Sequence, residues 1–183
     1  MRVITGSARG IRLITPEGTD VVRPTSEKAK EGVFSSIQFD IEGRRVLDLF
    51  AGSGQLGIEA LSRGAESAVF VDMSDKSLQA VTKNLQNTSL LAKAKVVKSQ
   101  YSLFLSRCTD KFDIAFLDPP YKAGLLNDAL TLVSKVMSDY GLIICEHPAD
   151  AELPREVGGF CVYKTLKYGK IIIDFYKGAN DIE

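Results

Sequence analysis

The chain has 183 residues, 45% of them hydrophobic and 25% charged, and its formal net charge is zero. That length and composition suit one folded domain with a single continuous core, and they exclude a disordered or fibrous chain. A neutral total also argues against nucleic-acid binding by bulk charge alone, because phosphate neutralisation supplies most nonspecific affinity.

Cys108, Cys145 and Cys161 are odd in number and far apart, without the paired short spacing of zinc or redox sites, so they are expected to be reduced and mostly buried, with no metal bound. The amino terminus has no apolar stretch suited to secretion, and no run approaches the ~20 apolar residues of a membrane span. A soluble cytoplasmic protein without membrane contact is expected. Within residues 1–30, Arg2, Arg9, Arg12, Arg23, Lys28 and Lys30 face only Glu17, Asp20 and Glu27, so positive charge leans toward the amino terminus.

In chain order, Arg2 to Thr5 and Ile11 to Thr15 around Gly6 to Gly10 read as a small hairpin. Ser26 to Gln38 reads as a helix, entered through Arg23-Pro24-Thr25-Ser26. From Arg44 onward, apolar runs alternate with helical periodicity. Val46 to Phe50, Ala68 to Val71, Ala94 to Val97, Ile114 to Leu117 and Leu142 to Cys145 are expected strands. Gln55 to Arg63, Ser74 to Leu90, Tyr101 to Cys108 and Leu125 to Ser138 are expected helices. Phe160 to Leu166 and Lys170 to Tyr176 suggest a closing antiparallel hairpin. The expected fold is α/β: a doubly wound, mostly parallel, Rossmann-like sheet of seven strands with an antiparallel carboxy-terminal hairpin. Residues 1–40 form an extension packed on a domain of residues 41–183.

Val46 to Phe50 runs into Ala51-Gly52-Ser53-Gly54-Gln55-Leu56-Gly57 and then a helix, which is Gly-x-Gly-x-x-Gly in the strand–turn–helix context that a nucleotide loop needs. Gly52 and Gly54 permit positive φ and close ligand approach, and Gly57 permits close helix packing. Asp72, ending the second strand, is placed to accept from ribose hydroxyls. These features fit both a nicotinamide dinucleotide and S-adenosylmethionine. Asp48 favours the second, since a carboxylate attracts its cationic methionine portion and repels a pyrophosphate. Asp48, Phe50, Gly52, Gly54, Asp72, Met73 and Asp118 are the expected S-adenosylmethionine-binding residues.

Phe112 to Leu117 ends in Asp118-Pro119-Pro120-Tyr121, at the carboxyl edge where such sheets bind ligands. The prolines fix φ and remove two amide donors, leaving a rigid rim. Asp118 and the Pro119 carbonyl supply two acceptors for an NH2 group, and Tyr121 a flat face on which a base can stack. An exocyclic amino nitrogen of a base is a weak nucleophile because its lone pair is delocalised into the ring. Acceptors on its two hydrogens favour pyramidalisation and direct displacement at a sulfonium methyl. Asp118, Pro119 and Tyr121 are therefore the candidate catalytic residues for methylation of a base amino group. Arg2, Arg9, Arg12, Arg23 and Lys28 are candidates for phosphate contacts. His147, the only histidine, has no necessary task in this chemistry and reads as structural or solvated.

With these motifs, Arg2-Val3-Ile4-Thr5-Gly6 with Arg9-Gly10, Arg23-Pro24-Thr25 with Lys30-Glu31 and Phe34, Glu146-His147 and Tyr168-Gly169, the chain resembles the bacterial RsmD family over nearly its whole length. That family methylates guanine N2 in small-subunit (16S) ribosomal RNA. The resemblance implies an amino-terminal hairpin and helix engaging RNA, one guanine as target, and a monomer acting on a small-subunit ribonucleoprotein. Two positions depart from the family. Gln100 stands where an acidic residue often meets the adenine amino group, and its amide oxygen can accept the same bond. Lys170 follows Tyr168-Gly169 where an acidic residue is common.

Four alternatives stand beside this reading. A DNA adenine methyltransferase shares Asp-Pro-Pro-Tyr but usually reverses the motif order or inserts a recognition domain, and regular strand–helix alternation fills the chain between Gly54 and Asp118. A protein-glutamine methyltransferase usually has asparagine at the position of Asp118. A nicotinamide-dependent oxidoreductase and a noncatalytic RNA-binding module are the others, motivated by the glycine loop and the basic amino terminus.

Overall fold

The computed structural model describes residues 1–16, 24–120 and 125–178, with the side chains of 24–26 left aside. Arg23 and Tyr121 therefore lie outside the described residues. The elements are α1 (Pro24–Ser36), β1 (Arg45–Asp48), α2 (Gln55–Ser62), β2 (Ser67–Asp72), α3 (Asp75–Asn87), β3 (Ala94–Lys98), α4 (Tyr101–Arg107), β4 (Phe112–Leu117), α5 (Leu125–Ser134), β5 (Met137–Pro148), β6 (Glu156–Val157), β7 (Phe160–Tyr168) and β8 (Ile171–Gly178). They form one sheet in the order β3-β2-β1-β4-β5-β8-β7-β6. The first five strands in that order are parallel, and β8, β7 and β6 continue it antiparallel.

Apolar side chains leave the sheet on both faces, so helices must cover both. On one face Val46, Phe70, Ile114, Phe116, Ile144 and Phe175 pack with residues of α1, α2 and α3. On the other, Leu47, Val71, Ala115, Leu117 and Ile143 pack with residues of α4 and α5. The doubly wound, mostly parallel fold holds, with eight strands rather than seven. The additional strand is β6, two residues paired with β7 through Gly158-Gly159. Both glycines have positive φ, as a tight hairpin turn demands, but two residues are too few to show a period.

Three boundaries also move. The helix expected to reach Ser138 ends at Ser134, and β5 begins at Met137 because Met137 already pairs with Phe112. The exposed Asp139 and Tyr140 break the apolar run there and hide the strand start. The expected amino-terminal hairpin keeps one bridge, Arg2 with Arg12. Its ladder stops because the amides of Ile4 and Thr5 donate to Glu59 in α2, at 2.8 and 3.0 Å, rather than to a strand. Of the cysteines only Cys145 is buried, with Cys108 and Cys161 half-buried. Among the described residues no helix is long and apolar enough to cross a membrane.

The amino-terminal segment shares the main core. Val3, Leu13, Val33, Phe34, Ile37 and Ile41 are buried in the same cluster as Ile58 and Phe116. Burial of large aliphatic and aromatic side chains contributes roughly 1.5–3 kcal/mol each, which is enough to hold the extension down. Two glycines allow the approach: a Cβ at Gly6 would sit 1.8 Å from the Ser62 carbonyl oxygen, and one at Gly32 would sit 1.7 Å from the Tyr168 hydroxyl.

Glu59 ties these parts together. Its fully buried carboxylate pairs with Lys30 of α1 at 3.1 Å and with Arg63 at 2.9 Å. Glu59→Ala leaves the buried Lys30 without its anion and two amides without an acceptor, so a loss of about 3–5 kcal/mol in urea unfolding is expected. Arg45→Ala, which breaks the partly exposed pair with Asp113, is expected to cost under about 1 kcal/mol. Equal losses in the two variants would contradict the bracing role of Glu59.

Candidate active site

The site lies along the carboxyl edges of β2, β1, β4 and β5. After β1 the chain turns through Gly52 and Gly54, with φ of 55° and 76°. The Gly54 carbonyl then accepts the first helical bond of α2, from Ile58 at 2.9 Å. A Cβ at Gly57 would meet the Phe70 ring at 2.4 Å, so only glycine lets α2 lie this close to β2.

Two aspartates hold that loop in place. Asp72 accepts from the Gly52 amide at 2.9 Å and from the Ser74 amide at 2.8 Å. It thus fixes the turn from the neighbouring strand, and each carboxylate oxygen keeps a second lone pair for a hydroxyl donor. Asp48 is buried and accepts from the Gly57 amide at 3.0 Å. Burial, with a smaller contribution from the charge of Asp72, pushes its pKa up to about 7 against the lowering effect of the Gly57 amide.

Asp118 is half-buried immediately after β4, followed by the buried Pro119 and the exposed Pro120. Its carboxyl is pushed well above the usual carboxylate range, first by removal from water and then by the nearby Glu146 and Asp48. Asp48, Asp118 and Glu146 therefore gather negative charge at one rim. A cationic sulfonium and ammonium relieve that repulsion, whereas a pyrophosphate adds to it. The donor set fits S-adenosylmethionine and disfavours a nicotinamide dinucleotide.

Of the residues expected at the cofactor, Asp48, Gly52, Gly54, Asp72 and Asp118 are brought together by loops that close these strands. Phe50 packs its ring 5.5 Å from Tyr101, which draws the start of α4 toward the loop. Gln100 is the exposed residue before α4, and its side chain makes no capping bond there. Met73 is 66% exposed beside Asp72. Of the residues expected to meet phosphate, Arg2, Arg9 and Arg12 are exposed on the amino-terminal segment and Lys28 on α1.

His147 is buried and bonded between the Pro148 carbonyl and Asp174, at 3.0 and 3.1 Å. Burial opposes its charge, but the bonds to Asp174 and Pro148 outweigh this and raise its pKa. Strand alternation sets it on the opposite face from Glu146, in agreement with a structural role.

Two further residues escape sequence reasoning. Asn84 is fully buried on α3 and bonds the Ile14 amide at 2.7 Å, the Ile14 carbonyl at 2.8 Å and the Ser53 carbonyl at 2.9 Å, joining the amino-terminal segment to the glycine loop. Its signal was a polar residue beside Val81 and Leu85 on an apolar helix face. Lys30 lines a cleft beside Asp118 together with Val33, Gln55, Leu56, Phe116, Ile144, Glu146 and Ile173.

Residues 1–177 match the family model described as Conserved hypothetical protein 95. YlbH of Bacillus subtilis is 41% identical over 182 residues, covering 97% of this chain and 98% of that protein. Ribosomal RNA small subunit methyltransferase D of Escherichia coli K12 is 32% identical over 179 residues, covering 97% of this chain and 89% of that one. The chain belongs to the RsmD family. The solved structure of yhhF from Escherichia coli superposes with a TM-score of 0.85 at 32% identity, covering 97% of both chains. The match spans the amino-terminal segment and α1 as well as the sheet, so the RsmD family includes the whole braced unit and not the glycine-loop domain alone.

The raised pKa of Asp48 sets a pH signature. The native state holds this proton more tightly than the unfolded chain, so its stabilising effect is complete below about pH 4 and is lost as pH rises to about 7. Asp48→Asn removes the titration and keeps an acceptor for Gly57. The variant is expected to gain stability relative to the parent between pH 4 and 7, by on the order of a few kcal/mol, and to hold that margin above. Urea unfolding of both proteins across this range measures it, and a flat difference would mean that Asp48 titrates like an exposed carboxyl.

Proposed function

We propose that this chain is an S-adenosylmethionine-dependent rRNA methyltransferase that methylates the exocyclic N2 of a guanine in small-subunit 16S ribosomal RNA. The observation that carries the reading is the place of Asp118, directly after β4 and close enough to Asp48 beside the glycine loop to feel its charge. Membership of the family and the name carried by the Escherichia coli relative support the substrate.

In this reading Asp48, Phe50, Gly52, Gly54, Asp72, Met73 and Gln100 hold S-adenosylmethionine, which supplies an electrophilic methyl on a cationic sulfur. Asp118 and the Pro119 carbonyl accept the two hydrogens of the amino group and direct its lone pair outward. Tyr121 stacks on the base. Proximity and preorganised acceptors provide the acceleration, and no covalent enzyme intermediate forms. The raised pKa of Asp118 suits it to receive the proton released after transfer, a role secondary to positioning.

Residues 1–40 serve as the RNA-binding extension, with Arg2, Arg9, Arg12, Arg23 and Lys28 on phosphates. A flipped or unpaired base enters beside Asp118, and phosphate contacts offset the few kcal/mol of unstacking. The protein acts as a cytoplasmic monomer on a small-subunit ribonucleoprotein.

Labelled methyl transfer to undermethylated small subunits and to naked 16S rRNA, followed by mass-spectrometric mapping, tests this reading. Label at guanine N2 of the assembled subunit is expected; transfer to naked RNA alone would overturn the ribonucleoprotein substrate. Asp118→Ala is expected to lower turnover at least ~100-fold while cofactor affinity changes little, as for loss of a preorganised polar group in a transition state. Unchanged turnover would remove Asp118 from the mechanism. Replacing Arg2, Arg9 and Arg12 together by alanine should weaken RNA binding and reduce the slope of log affinity against log salt by up to about 3, near one for each lost phosphate contact. An unaltered slope would show that these arginines do not meet phosphate.

A further inference from the structure

Glu146 occupies the position next to Asp118 on the neighbouring parallel strand. Phe116 pairs with Ile144, and two residues further along each chain the side chains return to the same face. The ladder ends at Leu117 with Cys145, and Asp118 and Glu146 follow it on adjacent chains, both lining the cleft that α1 covers. The walls of that cleft are Val33, Leu56, Phe116, Ile144 and Ile173. Their proximity is also felt electrostatically: after burial, the charge of Glu146 is the largest cause raising the pKa of Asp118.

We propose that Glu146 reads the N1–H of the target guanine while Asp118 holds its N2 amine, making Glu146 the residue that selects guanine over the other amino bases. This rests on the reading that the cleft beside Asp118 receives a base amino group. Three common bases carry such a group, but their neighbouring ring positions differ. Guanine places an N–H donor beside its amine. Adenine and cytosine place a bare ring nitrogen there, an acceptor.

A carboxylate only accepts. Against guanine, adjacent carboxylates meet adjacent donors. Against adenine or cytosine, Glu146 meets another acceptor and loses its hydrogen bond in a half-buried site, an arrangement that rejects strongly. Lys30, the basic residue of the cleft, does not compete for this role. It is 4% exposed, and its ammonium is taken by Glu59 at 3.1 Å and by the Arg2 carbonyl at 3.0 Å. Lys30 braces the wall, and Glu146 lines the cleft beside Asp118.

An RNA with 2-aminopurine in place of the target guanine separates the roles, because it keeps the N2 amine and turns N1 into an acceptor. We expect the wild-type protein to prefer guanine by ~10-fold or more in kcat/KM, the range for a hydrogen bond to a charged group. Glu146→Gln, whose amide can donate to N1, should slow guanine methylation by a similar factor at saturating cofactor and narrow or invert the preference. Equal use of the two RNAs by the wild-type protein would overturn the proposal without recourse to any variant. So would a Glu146→Gln enzyme that slows both substrates by the same factor or methylates guanine at the wild-type rate. A wild-type protein that methylates neither RNA would overturn the base-methylation reading itself, and this inference with it.

Discussion

The carboxylate of Glu59 is buried in the middle of α2 and receives donors from three separate parts of the chain: the amides of Ile4 and Thr5, the Lys30 ammonium and the Arg63 guanidinium. An isolated charge is costly to bury, and only a nearly complete set of partners makes the position tolerable. The amino-terminal segment, α1 and α2 are therefore assembled as one unit. From this point contacts lead directly to the rim that carries Asp118. Arg63 lies 4.9 Å from the centre of the Phe34 ring, Phe34 packs 5.6 Å from Phe116, and Phe116 precedes Asp118 by two residues. What looks in the sequence like an appended basic extension is a wall of the cleft beside Asp118.

The site itself is a separation of charge. Carboxylates of Asp48, Asp118 and Glu146 gather at the strand ends; burial raises the pKa values of the first two, helped by Asp72 for Asp48 and by Glu146 and Asp48 for Asp118. Exposed arginines occupy the amino-terminal segment instead. The acidic rim suits a cationic cofactor and the N–H donors of a base, and the basic surface suits phosphate. A net charge of zero sums 23 basic and 23 acidic residues over the whole chain and carries no trace of where each sign gathers.

Strand–helix alternation, the glycine loop and the Asp-Pro-Pro-Tyr segment were legible because each depends on local chemistry. Apolar runs of strand length, glycines at positive φ and paired prolines act within a few residues of themselves. Less legible was any feature whose cause is distant. The amino-terminal hairpin dwindled to one bridge because its amides turn to Glu59, more than fifty residues away. The start of β5 was hidden because Met137 pairs with Phe112 while the residues that follow are exposed. Asn84 and Glu59 read as ordinary polar residues of helices until their partners arrived from other elements.

Sequence by itself determined the doubly wound class, the place of the glycine loop and the rim that carries Asp118, since local periodicity and backbone restriction are written residue by residue. Tertiary structure alone decided which charges are buried together and which line the cleft. Glu59 with Lys30, Asp72 with the Gly52 amide, and Glu146 beside Asp118 are contacts between elements far apart in the chain. Their effects depend on distance and on exclusion of water, and neither exists until the chain has folded.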